Sequence, residues 1–202
     1  MTDRGLARSP LAKAVEAAVA AGVDWVQIRE RDLDGAALLA LAEELAAAAR
    51  AGAAARGGDV TLLINRRLDV ALALPASGVH LGFDAAPPRA ARTLLGPEAI
   101  LGAATHSADE ALAAAHLDLD YAQLAPIFAP RSKPAGRAPL GLHAVREASR
   151  ASLPVLAQGG IDAANAAAVV AAGAAGVAVT GAILLADDPG RAAAALRSVL
   201  DG

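Results

Sequence analysis

Residues 156–183 read LAQGGIDAANAAAVVAAGAAGVAVTGAI, and this stretch sets the pattern for the rest of the chain. An apolar run ends at Gly159 and Gly160, an alanine-rich helical segment follows, and a second apolar run leads to Gly181. Short apolar runs that alternate with helical segments are typical of βα units in a parallel sheet. Glycines at strand ends let an anion approach backbone N–H groups, and the helix that follows adds partial positive charge. We therefore predict phosphate binding at Gly159, Gly160, Thr180 and Gly181, although the glycines would also suit tight βα turns.

The composition limits the class of protein. The chain has 202 residues, of which 55% are hydrophobic, so we predict a single domain spanning residues 1–202 around one core. A net charge of −3, without runs of like charge, argues against nucleic acid and anionic membranes as partners. The absence of cysteine excludes disulfides, thiolate catalysis and cysteine-ligated zinc. No export signal or membrane-spanning stretch is evident, so we predict a cytoplasmic protein.

The same alternation of strand and helix patterns continues through the whole chain. The apolar runs predict seven strands, at 24–29, 60–64, 78–82, 100–104, 121–125, 153–157 and 177–179, with eight helices around them. Strict alternation of this length favours a single (β/α)8 TIM barrel over an open sheet. The first helix, at 10–21, has no strand before it, so we predict that the first strand is truncated. Mass spectrometry of the native N-terminus would test whether the true start lies before Met1.

Polar residues gather where the predicted strands end, which is where barrel enzymes carry their chemistry. The substrate-binding candidates are Gln27, Arg29, Arg31, Asn65, Thr105 and Ser132, and the catalytic candidates are His106, Lys133 and His80. Amides, imidazoles and cations at nearly every strand end predict a site for an anionic small molecule. Each residue also has a structural interpretation. His80 would suit a buried core histidine, and Arg29 and Arg31 could form a salt-bridged rim with Glu30 and Asp32.

Two other kinds of site are weakly supported by the sequence. Mg²⁺ prefers carboxylates beside substrate phosphates, and apart from Glu30 and Asp32 the one acid near a strand end is Asp84, so we predict no resident metal. Ser132 and Thr105 have no evident base and orienting acid, which argues against nucleophilic catalysis. His116 and His143 fall within helical patterns, and we expect both to face solvent.

The sequence resembles the thiamine phosphate synthase/TenI family over essentially its whole length. The matching stretches are TDR at 2–4, GVDWVQIRER at 22–31, LLINRRLDVALAL at 62–74, GVHLG at 78–82, GAATHSADEA at 102–111, DYAQLAPIFAPRSK at 120–133, PVLAQGGI at 154–161 and GVAVTGAI at 176–183. The resemblance implies a TIM barrel whose backbone N–H groups at Gly159, Gly160, Thr180 and Gly181 hold thiazole phosphate. In the synthase branch, pyrimidine pyrophosphate and Mg²⁺ also bind, and the thiazole nitrogen captures a pyrimidine cation as pyrophosphate leaves.

Several residues depart from the synthase pattern that this resemblance implies. Arg66 stands where an aspartate usually follows the strand asparagine, and Ala85 stands where the second metal-binding aspartate is expected. Arg31 replaces a lysine, and of the threonine-rich pyrophosphate loop the chain keeps Ser132 and Lys133. These differences favour the TenI branch, which isomerises thiazole carboxylate phosphate, although the histidine of that branch is Pro126 here.

We therefore expect an enzyme of thiamine biosynthesis that binds thiazole phosphate and catalyses TenI-like tautomerisation. A thiamine phosphate synthase, which would use Mg²⁺ and pyrimidine pyrophosphate, is the first alternative. A catalytically silent thiazole-phosphate-binding or regulatory protein is the second. Exposed apolar helix faces in such an alanine-rich barrel are compatible with a homodimer.

Overall fold

The computed structural model describes residues 1–74, 76–82, 85–129 and 137–202. The chain divides into two compact units. Unit 1 comprises residues 1–79 and 180–202, and unit 2 comprises residues 80–179. The single domain expected over residues 1–202 stays a prediction.

Unit 1 contains the first two strands together with both chain ends. Its elements are α1 (Leu11–Ala20), β1 (Trp25–Ile28), α2 (Gly35–Ala55), β2 (Thr61–Asn65), α3 (Leu68–Ala73), α8 (Gly181–Leu184) and α9 (Pro189–Asp201). Strands β1 and β2 pair in parallel, from Trp25 opposite Thr61 to Ile28 opposite Ile64. Ile28, Leu63 and Ile64 are almost fully buried, as expected for a parallel strand covered by helices on its outer face.

Strand β3 (Gly78–Leu81) begins at the end of the first stretch of unit 1, and the remaining strands belong to unit 2. The elements of unit 2 are α4 (Pro88–Leu95), β4 (Ile100–Thr105), α5 (Ala108–Ala114), β5 (Tyr121–Leu124), α6 (Gly141–Ala148), β6 (Val155–Gln158), α7 (Ala166–Ala171) and β7 (Gly176–Ala178). Strands β4 to β7 pair in parallel in chain order. Leu124 in β5 and Val155 and Ala157 in β6 are buried.

The strand order of the sheet is β1 to β7, the order of the chain. The predicted seven parallel strands are confirmed, and the fold is an α/β barrel of the TIM type. Within the described ranges there are nine helices, one more than predicted. The additional helix arises because residues 181–201 form two helices, α8 and α9, which are separated by residues 185–188.

Three helices, α2, α5 and α9, begin after a short polar residue that caps the helix N-terminus. The side chains of Asp34, Ser107 and Asp188 accept hydrogen bonds from Ala37, Glu110 and Arg191 N–H groups, at 2.9, 3.1 and 2.9 Å. Such caps satisfy N–H groups that have no partner within the helix. Ser9 does not cap α1, because the capping position is Pro10 and no side-chain hydrogen bond is present there.

The first residues of the chain lie against β1. The Thr2 N–H donates to the Gln27 carbonyl at 2.8 Å, and the Arg29 N–H donates to the Thr2 hydroxyl at 2.9 Å. Thr2 is only 2% exposed. These two bonds satisfy polar groups of β1 on the side that does not pair with β2. In the part of the chain that the structure describes, no helix is long and apolar enough to cross a membrane.

Candidate functional site

The charged segment after β1 contains two arginines and two acids, and the acids bind a third arginine. The Arg4 guanidinium donates to Asp32 at 2.7 Å and lies 3.3 Å from the Glu30 carboxylate, whose side chain is 3% exposed. The Arg4 N–H also donates to Glu30, at 3.1 Å. Neither Arg29 nor Arg31 forms an ion pair within the described ranges. The interpretation of Arg29 and Arg31 as a rim salt-bridged to Glu30 and Asp32 is therefore wrong.

Positive charge accumulates around Arg29, which is partly buried just after β1. Burial lowers the pKa of its guanidinium, and the neighbouring charges of Arg31 and, more weakly, Arg66 lower it further, while Asp3 and Glu30 act in the opposite direction. Burial and then Arg29 also lower the pKa of the Met1 amino group to about 6. The end of β1 is therefore a cationic environment.

The end of β2 supplies an amide and a further cation to unit 1. Asn65, the last residue of the strand, is 9% exposed, and Gln27 in β1 is 6% exposed. Arg66 follows with φ at 68°, a left-handed conformation that costs a residue with a β-carbon about 1 kcal/mol. Because Ile28 and Ile64 lie opposite each other in parallel strands, Arg29 and Asn65 follow at the same edge of the sheet.

In unit 2, His80 forms a buried pair with Tyr121. The His80 Nδ1 atom lies 3.0 Å from the Tyr121 hydroxyl oxygen, and the two rings are stacked with centroids 5.8 Å apart. Each residue is 2% exposed. A β-carbon on Gly102 would fall 1.9 Å from the Tyr121 ring, so the ring depends on the absence of a side chain there.

The two candidates after β4 differ in environment. Thr105 is 4% exposed, and its buried hydroxyl has no hydrogen-bond partner among the described residues. A buried hydroxyl without a partner is costly unless a ligand or water satisfies it. His106 instead binds Glu110: its N–H donates to that carboxylate at 2.7 Å, and its Nδ1 lies 3.5 Å away.

The predicted phosphate-binding glycines of unit 2 form a tightly fixed loop, which we call the glycine loop (residues 158–160). Gly159 and Gly160 have φ values of 103° and 61°, and added β-carbons would approach Pro126 and Ala129 within 2.8 and 2.5 Å. The carbonyls of the loop accept hydrogen bonds from Ile127, Phe128 and the Asn165 amide, at 2.8, 3.0 and 2.9 Å. The N–H groups of Gly159 and Gly160 donate to none of the described residues.

The remaining predicted site residues lie in unit 1 or outside the described residues. Thr180 precedes α8, which begins at Gly181, and the buried Thr180 hydroxyl has no hydrogen-bond partner in the described ranges. Ser132 and Lys133 are outside the described residues, as is Asp84. His116 is exposed and the His143 side chain is 80% exposed, so both predictions of a solvent-facing histidine are confirmed.

The comparison with protein families decides the family. Residues 1–183 match the family model described as thiamine monophosphate synthase. The chain belongs to the thiamine phosphate synthase/TenI family. The predicted resemblance is confirmed.

Relatives of this family match the chain closely. It is 42% identical over 201 residues to a thiamine-phosphate synthase of Roseiflexus castenholzii, covering 98% of this chain and 86% of that protein. It is 45% identical over 188 residues to the bifunctional protein ThiM/ThiE of Symbiobacterium thermophilum, covering 93% of this chain but 37% of that protein. Among solved structures, a thiamine phosphate pyrophosphorylase of Pyrococcus furiosus aligns with a TM-score of 0.86, at 30% identity, over 98% of this chain and 92% of that one.

The magnesium ion that the synthase branch of this family implies does not fit the residues described here. Mg²⁺ binds hard oxygen ligands, above all carboxylates. The two positions at which the resemblance implies metal-binding aspartates are Arg66 and Ala85 in this chain. The described ranges contain no group of three or more His, Asp or Glu that could hold a metal. A guanidinium carries no lone pair for a metal ion, so Arg66 opposes binding at this position.

Sequence reasoning missed the buried amide of Gln123, its half-buried partner Gln158 and the hydrogen bonds of Asn165 in unit 2. The Gln123 amide donates to the Gln158 side-chain oxygen at 2.6 Å, and Gln123 is 5% exposed. Asn165 bridges the glycine loop to α7, because its side chain accepts from Asp162 N–H at 3.0 Å and donates to the Gly160 carbonyl. A glutamine inside the apolar run YAQL was the available signal for Gln123.

Proposed function

We propose that the protein is a thiamine phosphate synthase, which joins a pyrimidine pyrophosphate to thiazole phosphate and releases pyrophosphate. The observation that carries this proposal is the 42% identity to a thiamine-phosphate synthase over nearly the whole length of both chains. The comparisons support this alternative better than the tautomerisation that sequence analysis placed first, since relatives named as synthases match at 39–43% identity over 98–99% of the chain.

The proposed reaction is a substitution at the methylene carbon of the pyrimidine. The bond from this carbon to the pyrophosphate oxygen breaks, and its electron pair leaves with pyrophosphate. The resulting pyrimidine cation is captured by the thiazole ring nitrogen, whose lone pair forms the new C–N bond. The principal requirement on the protein is stabilisation of the charge that develops on the leaving group.

For the leaving group we propose Arg29 and Arg31 as ligands, with Asn65 and Gln27 as hydrogen-bonding residues. Support comes from the two guanidinium groups, which have no ion pair in the described part of the chain, and from their position after a buried strand. Guanidinium groups bind phosphate oxygens in a bidentate geometry, which adds orientation to charge. Ser132 and Lys133, outside the described residues, stay predictions for the same role.

For thiazole phosphate we propose the N–H groups of Gly159 and Gly160 in unit 2. Thr180 and Gly181, in unit 1, stay predictions. One observation supports this assignment: the glycine loop is fixed through its carbonyls, while the N–H groups of Gly159 and Gly160 donate to none of the described residues. Backbone N–H groups bind phosphate without the conformational entropy cost of ordering long side chains.

For the organic part of the substrates we propose three polar groups in unit 2, all of them buried except for the half-buried Gln158. These are the Thr105 hydroxyl, the His80–Tyr121 pair and the Gln123–Gln158 amide pair. Buried polar groups of this kind orient a ligand because any other pose would leave them unsatisfied. His106 is a weaker candidate for acid–base chemistry, because Glu110 binds both its backbone N–H and its ring.

Tautomerisation of thiazole carboxylate phosphate is the second candidate function. Arg66 and Ala85, at positions where the synthase branch carries aspartates, favour it. This reaction needs proton transfer rather than a leaving-group site, and His80 is the buried imidazole that could serve. A cytoplasmic location and a homodimer are compatible with either function and stay predictions.

One experiment separates these functions. Purified protein is incubated with thiazole phosphate and pyrimidine pyrophosphate, and thiamine phosphate is quantified by its conversion to fluorescent thiochrome. A parallel NMR time course follows the thiazole carboxylate phosphate tautomer alone. Thiamine phosphate formation supports the proposed synthase. Isomerisation without thiamine phosphate would show the tautomerase instead, and no turnover in either assay would indicate a binding protein without catalytic activity.

A further inference from the structure

Three arginines follow the two neighbouring strands of unit 1, and we call them the arginine cluster (Arg29, Arg31 and Arg66). Arg29 and Arg31 lie just beyond β1, and Arg66 lies just beyond β2. Strands β1 and β2 end together, because Ile28 and Ile64 are paired in a parallel register. The parallel pairing of β1 and β2 therefore brings the three arginines to the same edge of the sheet.

Two carboxylates next to the arginine cluster, Glu30 and Asp32, share Arg4 as their partner. Glu30 and Asp32 alternate with Arg29 and Arg31 in sequence, yet both acids bind Arg4. Other arginines of unit 1, such as Arg56 and Arg197, pair with Asp24 at 3.3 and 2.8 Å. Arg29 and Arg31 have no such pair among the described residues, so their charges are not neutralised by carboxylates at ion-pair distance.

The members of the arginine cluster are close enough to repel one another. Burial is the main cause that lowers the pKa of the Arg29 guanidinium; Arg31 and, more weakly, Arg66 lower it further, while Asp3 and Glu30 act in the opposite direction. This mutual repulsion is unfavourable in the protein alone, and it is relieved when a multiply charged anion binds. The arrangement thus favours an anion with several negative oxygens.

We propose that the pyrophosphate group of the substrate is neutralised by the arginine cluster in this chain, without a divalent cation. The inference rests on the proposed function, since the anion is the leaving group of that reaction. Arg66 occupies a position at which a carboxylate would attract a metal ion, and its guanidinium supplies the compensating charge directly. Guanidinium groups present their N–H donors in a fixed planar fork, which binds pyrophosphate oxygens bidentately.

The direct test is calorimetric titration with inorganic pyrophosphate, once in EDTA and once with excess Mg²⁺. We expect binding in EDTA to be as tight as, or tighter than, binding with Mg²⁺, because the metal ion would neutralise charges that the arginines bind. Binding detected only with Mg²⁺ would overturn the inference.

Substitution at Arg66 tests the cluster itself. Arg66→Gln removes one charge and should weaken pyrophosphate binding in EDTA about tenfold, whereas Arg66→Lys should retain most of the affinity. Arg50→Gln is the matched control, because Arg50 is exposed on α2 of the same unit. The affinity of this variant for pyrophosphate should equal that of the wild type. Arg66→Gly, which suits the left-handed backbone, provides a second charge-free variant if the glutamine variant folds poorly. Unchanged affinity in both charge-free variants would refute a role for Arg66.

Turnover measured in the same two buffers separates this inference from the proposed function. Thiamine phosphate formed in EDTA supports both the proposed synthase function and the metal-free binding of pyrophosphate. Thiamine phosphate formed only with Mg²⁺ upholds the synthase and overturns the metal-free binding. Tight pyrophosphate binding in EDTA without any thiamine phosphate upholds the arginine cluster as an anion site and overturns the synthase.

Discussion

The imidazole Nδ1 of His80 and the hydroxyl oxygen of Tyr121 lie 3.0 Å apart in the buried part of unit 2, although 41 residues separate them in sequence. Their rings are inclined by 29° and stacked. A hydrogen bond between two buried polar side chains contributes to stability chiefly because breaking it leaves desolvated groups behind. The pair is therefore expected to be structural as well as a candidate for orienting substrate.

Removal of the Tyr121 hydroxyl should destabilise unit 2. For Tyr121→Phe we expect a loss of about 1–3 kcal/mol in the free energy of unfolding, because a buried partner of His80 disappears while ring volume is kept. Urea denaturation followed by circular dichroism measures this loss. In a double-mutant cycle with His80→Asn, the two losses should be non-additive. Additive losses would mean that the two side chains do not interact in solution.

A methyl group at Gly102 should displace the Tyr121 ring. The added carbon would lie 1.9 Å from Tyr121 Cζ, so the ring or the backbone must move. We expect Gly102→Ala to lower the free energy of unfolding by about 1–3 kcal/mol, the usual cost of overpacking a core. Gly58→Ala is the control, since an added carbon there would approach Arg56 no closer than 3.7 Å. Equal stability of the two variants would contradict the close packing of Gly102 against Tyr121.

Asn165 should act as a positioning residue for the glycine loop. Asn165→Asp keeps the oxygen that accepts from Asp162 but loses the donor to the Gly160 carbonyl. We expect KM for thiazole phosphate to rise several-fold, about the effect of one lost hydrogen bond, while KM for the pyrimidine pyrophosphate stays unchanged. If both KM values rose together, or neither did, Asn165 would not act through the glycine loop.

The Arg4–Asp32 contact should make stability depend on pH in acid. The hydrogen bond from Arg4 is the main cause that lowers the pKa of the Asp32 carboxyl below its ordinary value of 3.8. A carboxyl group whose pKa is lower in the folded state than in the unfolded state stabilises the protein at pH values above the unfolded-state pKa. This stabilisation disappears as the pH falls through the folded-state pKa. Thermal unfolding between pH 6 and pH 2 should therefore show that Arg4→Gln is less stable than the wild type near pH 6. The difference should shrink in acid, and a constant difference would argue against an ionic contribution.

Much of the architecture follows from local sequence patterns. The alternation of apolar runs with helical segments predicted all seven strands, and their ends were predicted within two residues, because burial of a parallel strand requires a short continuous apolar run. The positions of Arg29, Asn65, Thr105 and Gly159 at or just after strand ends were predicted for the same reason. Whether these residues bind substrate stays a prediction.

The sequence by itself determined the strand order, the family and the chemical types available at the strand ends. Only the tertiary structure decided which partner each polar group takes. Arg4, rather than Arg29 or Arg31, binds Glu30 and Asp32, and Gln123 bonds Gln158 across 35 residues of chain. The reason is physical: periodicity reports which face of an element is buried, whereas partner choice depends on the register between elements distant in sequence. That register leaves Arg29 and Arg31 without an ion pair among the described residues, next to two acids that share Arg4.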